Sequence, residues 1–256
     1  MRLTFLGTGT SCGVPVIGCN CPVCRSRDPR NKRLRTAALL ETDSTRLIID
    51  CGPDFRQQML AQPFRKIDGV LISHIHYDHV GGIDDVRPFC ALGSINIYAN
   101  ADTCQGLHHN MPYCFGKHLY PGVPQLTLHE AKPHQPLQIG DIHVMPIEVL
   151  HGNLPILGFR IGTLAYITDM KTIADTELPY LQDIDTLVVN ALRWEKPHHS
   201  HQLISEAISF AQRLHARRTY LIHLTHDIGL HEEADKRLPD GIHFAYDGLQ
   251  IEIPHT

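Results

Sequence analysis

His74-Ile75-His76-Tyr77-Asp78-His79 places four potential metal ligands in six consecutive positions. Imidazole and carboxylate together suit Zn²⁺, Mn²⁺ or iron, and hydrolysis is the chemistry that such a site most readily supports. The run follows Gly69-Val70-Leu71-Ile72, an apolar stretch with the character of a buried strand, and precedes the loop signal Gly81-Gly82. Alternate side chains of an extended chain share a face, so His74, His76 and Asp78 are expected to point together, with His79 turning off beside them. One metal cannot easily take all four from so short a segment, whereas two adjacent metals can divide them. The competing reading is a solvated polar loop.

Metal ligands are seldom all local, so partners are expected further along. His151 follows the apolar stretch 145–150, Asp169 follows 164–168, and His223 lies within Tyr220-Leu221-Ile222-His223-Leu224. Each is a lone ligand type at or near the end of an apolar strand, where a scaffold presents functional groups. Singly, each reads as an ordinary hydrogen-bonded polar residue; beside 74–79, all three become candidate ligands.

In order and spacing, His74-x-His76-x-Asp78-His79 followed by His151, Asp169 and His223 resembles the motif series of the metallo-β-lactamase superfamily. Asp50, in Leu47-Ile48-Ile49-Asp50-Cys51-Gly52, matches that superfamily's early strand-end aspartate. The resemblance implies an α+β fold, an αββα sandwich of two mixed β-sheets flanked by helices, with the site at one edge between the sheets. It implies one metal on His74, His76 and His151, a second on Asp78, His79 and His223, and Asp169 bridging them. Asp50 would position ligands without binding metal. Two Zn²⁺ or Mn²⁺ ions about 3.5–4 Å apart can hold a bridging water and lower its pKa into the neutral range. The expected reaction is attack of that bridging hydroxide on a phosphodiester, with Asp78 counted among the catalytic groups.

Cys19-Asn20-Cys21-Pro22-Val23-Cys24 gathers three thiols in six residues, which in a cytosolic chain reads as Zn²⁺ binding completed by a histidine. His226, three residues after His223, is the best fourth ligand; buried or redox thiols are the alternative. An opening Gly7-Thr8-Gly9-Thr10-Ser11, the Cys-x-Cys-x₂-Cys insertion at about 12–35, His-x₂-His and the closing Ala245-Tyr246-Asp247-Gly248-Leu249-Gln250-Ile251 resemble the cyclic-phosphate phosphodiesterases of the carbon–phosphorus lyase pathway. That resemblance implies a small cyclic phosphodiester as substrate, a structural zinc clip between the insertion and the C-terminal region, and a homodimer. Gly7-x-Gly9-x₃-Gly13 runs into Val14-Pro15 rather than a helix and fails the dinucleotide fingerprint.

A departing alkoxide needs a proton. The resemblance assigns that role to His201, with His198 in reserve, both in Lys196-Pro197-His198-His199-Ser200-His201; Ser200 has a competing reading as a helix N-cap. Arg193 departs from the resembled sequences and could grip a phosphate or form a structural salt bridge.

The elements that must hold these groups are short. Strands are expected at 3–6, 37–41, 46–50, 69–73, 95–99, 143–148, 158–161, 164–168, 186–190, 219–224, 242–245 and 249–253, the last two joined as a hairpin at Asp247-Gly248. Helices are expected at 54–61, 84–92, 101–109, 177–181, 202–214 and 231–237, the clearest being 202–214 with Leu203, Ala207, Ile208, Ala211 and Leu214 on one face. Pro112–Pro124 and Lys132–Pro136 read as loops, and residues 1–256 as one domain. No apolar run approaches the roughly 20 residues of a membrane span, and the opening residues lack a signal-peptide core, so a cytoplasmic location is expected. A net charge of −4 gives no global basic field for nucleic acid. The basic stretch from Arg25 to Arg35 reads equally as a solvated loop or a local attraction for substrate. Competing functions are RNA processing, lactone or thioester hydrolysis, and metal-dependent binding or sensing.

Overall fold

The computed structural model describes residues 1–116 and 120–254. One mixed sheet contains β1 (Arg2–Gly7), β2 (Ala37–Glu41), β3 (Arg46–Ile49), β4 (Gly69–Leu71), β5 (Ile95–Ala99), β6 (Leu126–Glu130) and β14 (Gln250–Glu252), in the order β14-β1-β2-β3-β4-β5-β6. The other contains β7 (Leu137–Ile139), β8 (Ile142–His151), β9 (Leu154–Ile161), β10 (Leu164–Ile167), β11 (Thr186–Asn190), β12 (Arg218–Ile222) and β13 (Ile242–Phe244), in the order β13-β12-β11-β10-β9-β8-β7.

Their central strands are apolar on both faces, as strands covered on both sides must be. In β3, Leu47 and Ile49 face the other sheet while Ile48 faces outward; in β10, Leu164 and Tyr166 face inward while Ala165 and Ile167 face outward. The inward sets join Phe5, Leu71, Phe159 and Ile222 in a core between the sheets. Outside the first sheet lie α2 (Phe55–Leu60) and α4 (Ala101–Asn110), which contribute Phe55, Met59 and Leu107. Outside the second lies α6 (Ile204–Arg213), burying Ile204, Ala207, Phe210 and Ala211. The layering is the expected αββα sandwich.

Several local expectations are corrected. β13 and β14 do not form a hairpin: β13 pairs with β12 and β14 with β1, in different sheets. Asp247-Gly248 still turns, with Gly248 at φ 88°, but the edges of both sheets compete for the flanking backbone. Ala245 N–H donates to the Leu221 carbonyl, while Gly248 N–H donates to Phe5. Residues 83–92 and 175–181 wind as 3₁₀ rather than α-helix, each with an internal proline (Pro88, Pro179) that removes a hydrogen-bond donor. Ser200 does not cap α6; Leu203 occupies the cap, where Glu206 accepts from its N–H at 2.6 Å. A short helix, Pro112–Phe115, forms inside the expected loop Pro112–Pro124, of which residues 117–119 lie outside the described set. β6 and β7 have no counterpart among the expected strands.

Parallel pairing decides where chemistry can gather. β3 and β4 run parallel, as do β10, β11 and β12, and β8 is antiparallel to β9, itself antiparallel to β10. The C-terminal ends of β8, β10, β11 and β12 therefore share one edge. Asp50, Asp169 and His223 follow β3, β10 and β12 with φ of 62°, 57° and 58°. Asp and His tolerate this left-handed region better than most residues, and each such position costs of order 1–3 kcal/mol. The bend ends the strand and turns the chain beside the site.

Candidate metal centre

His79 lies deepest. Its Nδ1 donates to Asp50 Oδ2 at 2.7 Å, so its Nε2 carries the lone pair in the neutral ring. That Nε2 is buried, lacks a hydrogen-bond partner among the described residues, and faces Asp78 Oδ2 at 3.3 Å and Asp169 Oδ1 at 3.4 Å. An orphaned imidazole nitrogen between two carboxylates fits a divalent cation. His74 is oriented by the same device. Ser73 Oγ spends its one proton on Asp50 Oδ2 at 2.9 Å, so His74 Nδ1 must donate to Ser73 Oγ at 3.0 Å, leaving Nε2 as the acceptor. His151 Nδ1 donates to the Asp169 carbonyl at 2.7 Å, again freeing Nε2.

The ligand atoms divide into two groups, each with all its atoms within 4.8 Å of one another: His74, His76 and His151, then Asp78, His79, Asp169 and His223. The expectation that Asp78 faces the same way as His74 and His76 is corrected. β4 ends at Leu71, and α3 (Tyr77–Val80) begins after His76, so Asp78 and His79 turn together on a helical backbone. Gly52 permits this turn, since a Cβ there would lie 2.0 Å from the Asp78 carbonyl oxygen. Asp169 stands between the groups. Its Oδ1 lies 3.1 Å from His223 Nδ1 and 3.4 Å from His79 Nε2, and its Oδ2 lies 3.9 Å from His74 Nε2.

Burial disfavours charge on His79, but Asp169 and Asp50 outweigh it and hold the ring protonated well above its ordinary range. Burial likewise opposes ionisation of Asp169, yet His223, His79 and His74 keep it ionised. Burial and the His79 charge lower the pKa of His74, and burial lowers that of His223. Without metal, the His79 proton therefore sits where a cation would bind. Uptake must release it, so affinity should weaken as pH falls below the raised His79 value, the protonated form competing with metal. Calorimetry in buffers of different ionisation enthalpy should detect this proton release; a buffer-independent heat would contradict it.

His201 is at the rim of the same centre. Its Nδ1 lies 3.8 Å from Asp169 Oδ2, its ring is 4.7 Å from His151, and it stacks on His223 at 4.8 Å. Burial and His223 lower its pKa to about 3. His198 is next, with its ring 4.9 Å from His201. Arg193 shares with both a cleft of about 330 Å³ that also reaches Thr10, Thr225 and His226.

Cys19, Cys21, Cys24 and His226 form a separate group within the same 4.8 Å limit. His226 Nδ1 lies 3.2 Å from Cys21 Sγ and 3.7 Å from Cys19 Sγ. Backbone N–H groups of Val16 and Cys24 donate to the sulfurs of Cys24 and Cys21, each at 3.4 Å, which favours thiolate. α1 (Pro22–Arg25) supplies the tight turn, with proline in its first turn. Burial opposes ionisation of Cys21, but the Cys24 N–H, His226 and the neighbouring thiols draw it down to about 6. Three sulfurs and one imidazole fit a tetrahedral Zn²⁺. Cys24→Ser should lower zinc content by one ion per chain, read by elemental analysis; unchanged zinc would remove this site.

Several groups escaped sequence reading because they are ordinary residue types. Ser73 couples Asp50 to His74, and Asn190 grips the backbone after Asp169 through Met170 N at 2.7 Å and Met170 O at 2.9 Å. Thr10 Oγ1 and Thr36 Oγ1 flank the His223 ring at 3.3 and 3.4 Å. The only available signal was a polar residue at the end of an apolar strand, as at Ser73 and Asn190.

Residues 45–224 match the family model of the beta-lactamase superfamily domain. The chain belongs to the metallo-β-lactamase superfamily. Among superfamily structures, the crystal structure of a new diphosphatase from the PhnP family is 38% identical, with TM-score 0.91 over 99% of this chain and 98% of that one. Zn²⁺-bound PqqB from Methylobacterium extorquens, at 18% identity and TM-score 0.81 over 99% and 100% of the two chains, shares the fold. A protein of Porphyromonas gingivalis named octanoyltransferase is 46% identical over 254 residues, 99% of this chain but 52% of its own length. The chain thus spans about half the length of that relative. No helix among the described residues is long and apolar enough to cross a membrane.

Proposed function

We propose that this superfamily member is a metal-dependent hydrolase of a small phosphodiester. One observation carries the reading: the Asp169 carboxylate lies between two groups of histidines, with His201 over the same carboxylate. A dinuclear reading follows, with His74, His76 and His151 holding one ion, Asp78, His79 and His223 the other, and Asp169 shared. Two Zn²⁺ or Mn²⁺ ions there would supply Lewis acidity toward a phosphoryl oxygen and a water acidified to neutral pH.

The chain's own groups do the remainder. Asp50 and Ser73 fix the tautomers of His79 and His74, so that their Nε2 atoms point at the centre. Asn190 and the left-handed backbone at Asp169 fix the chain from which its carboxylate projects, and the Thr168 hydroxyl donates to that carboxylate. His201 stands at the rim, where a leaving oxygen would emerge, as hydrogen-bond or proton donor. The Cys19–Cys21–Cys24–His226 group, read as a structural zinc, ties the N-terminal insertion to the turn that carries His223.

The identity to a PhnP-family diphosphatase across nearly the whole chain supports phosphorus rather than carbon as the reacting centre. A cyclic diester and a second phosphate as leaving group are both compatible with it. A second substrate class, an acyl ester or thioester, is suggested by the name octanoyltransferase, borne by a relative about twice as long. The test is turnover of bis(p-nitrophenyl) phosphate by protein loaded with Zn²⁺ or Mn²⁺, beside an octanoyl thioester. Cleavage of the diester alone is expected. Cleavage of the thioester alone, or of neither, would overturn the phosphodiesterase reading.

A further inference from the structure

Phe55, Met59 and Phe89 form the floor of a groove of about 480 Å³ between α2 and the 3₁₀ segment 83–92. The floor is buried, but the rim is not: Leu60 is 66% exposed and Phe64 60%, although the Phe64 ring lies 5.1 Å from that of Phe89. The apolar surface continues past the groove. Leu92 ends the 3₁₀ segment, Tyr113 donates its hydroxyl to Asp84 Oδ1 at 3.2 Å, and Tyr120 lies two residues before Gly122, whose carbonyl accepts from Arg87. Five of the seven exposed large hydrophobic side chains among the described residues thus belong to this groove or are tied to its walls. Scattered exposed leucines are ordinary on a globular protein, whereas a gathered set marks a surface that something covers.

The charges around the groove decide what can cover it. Arg56, Arg87, Asp84 and Asp85 supply two cations and two anions. Asp84 and Arg87 satisfy each other, with Arg87 Nη2 donating at 2.8 Å. Arg56 and Asp85 are exposed and have neither an ion pair nor a side-chain hydrogen bond among the described residues. A nucleic acid or an anionic lipid surface calls for an excess of positive charge, which this balanced rim lacks. A second copy of the same face calls for nothing more. Under a two-fold axis, each unpaired Arg56 can meet the unpaired Asp85 of the other copy, while Leu60 and Phe64 enter the opposing groove. Phenylalanine, tyrosine, methionine and arginine are also the types enriched where proteins associate.

The floor of the groove lies against the turn that carries metal ligands. Cys51 N–H donates to the His79 carbonyl at 2.8 Å and Gly82 N–H to the Cys51 carbonyl at 2.9 Å. A Cβ on Gly82 would stand 2.7 Å from Phe55 Cβ, so α2 and the end of α3 are in close contact. We infer that the face built from α2 and the 3₁₀ segment pairs with its counterpart on a second copy of the chain. The result is a two-fold homodimer whose interface backs the turn carrying Asp78 and His79.

Sedimentation velocity and light scattering on the full chain, at micromolar concentration, are expected to give twice the 28.8 kDa chain mass. Phe64→Asp and Leu60→Asp change exposed side chains, so both variants should keep the wild-type circular dichroism. Each should raise the dimer dissociation constant about tenfold or more, as loss of an interfacial anchor predicts. The charges test the partner's identity. Arg56→Asp and Asp85→Arg should each weaken the dimer by setting like charges opposite one another, and the double variant should recover it. A monomeric wild-type protein overturns the inference. So does a dimer that Phe64→Asp and Leu60→Asp leave intact, or a double charge variant that fails to recover pairing. Native mass spectrometry that finds a small amphiphile on the groove in place of a second chain overturns it as well. None of these readouts involves turnover, so their outcome is independent of the phosphodiesterase reading.

Discussion

Asp169→Ala is expected to lose stoichiometric metal at both histidine groups and, with it, turnover. The Asp169 carboxylate reaches His79 and His223 with one oxygen and His74 and His201 with the other, so no neighbour can take its place. Outer partners of metal ligands alone are worth about 10–100-fold in affinity or activity, so removing a shared ligand should cost more than about 100-fold. The buried His79 would also lose one of the two carboxylates that raise its pKa, so its pKa should fall. Asp169→Asn is the matched control: it keeps the shape and the Thr168 hydroxyl contact, made at 2.6 Å, but not the charge. Elemental analysis and turnover of bis(p-nitrophenyl) phosphate are the measurements. An alanine variant with full metal and wild-type rate would remove Asp169 from the centre.

His201→Ala is expected to separate catalysis from metal binding. His201 lies outside both groups assigned to metal, so the variant should retain its metal while kcat falls about 10²–10⁴-fold, the usual worth of a positioned proton donor. Burial and His223 draw His201 down to about 3, so it is neutral at pH 7 and donates from an N–H. Bound anionic substrate opposes that shift. If His201 supplies the proton as imidazolium in the complex, the rate of the wild-type protein falls as pH rises through its pKa in that complex. His201→Ala should lack that limb of the profile. A variant with wild-type kcat moves the role elsewhere; one that loses metal makes His201 a ligand, a role its place beside His151 and Asp169 would also allow.

Much of this arrangement was legible beforehand because His74, His151, Asp169 and His223 each lie at or shortly after the end of an apolar strand, with His76, Asp78 and His79 close behind the first. A short apolar run bounded by His or Asp conveys both a buried strand and an exposed end, and the order of these runs matched a known series. Other features were invisible for equally specific reasons. Asp78 was expected beside His74 and His76 because a strand was assumed to continue; the chain instead becomes helical at Tyr77, and the period of side-chain direction changes with it. The turn at Asp247-Gly248 carries an ordinary hairpin signal, yet nothing local tells the strands on either side that β1 and β12 offer better partners. Ser73 and Asn190 act through hydrogen bonds whose acceptors and donors lie at residues 50 and 170, so neither stands out by type.

The sequence by itself determined the ligand chemistry: seven His and Asp residues suited to hard or borderline divalent ions, and a separate thiol-rich knot with a histidine suited to zinc. These follow from residue type and local spacing, which folding does not alter. Only the tertiary structure decided how the ligands divide, which ring nitrogens face inward and what borders them. Those depend on parallel strands ending at one edge, on left-handed bends at Asp50, Asp169 and His223, and on contacts between residues far apart in the chain. The 3.8 Å between Arg193 and Asp227 is of the same kind, a distance that only packing can set.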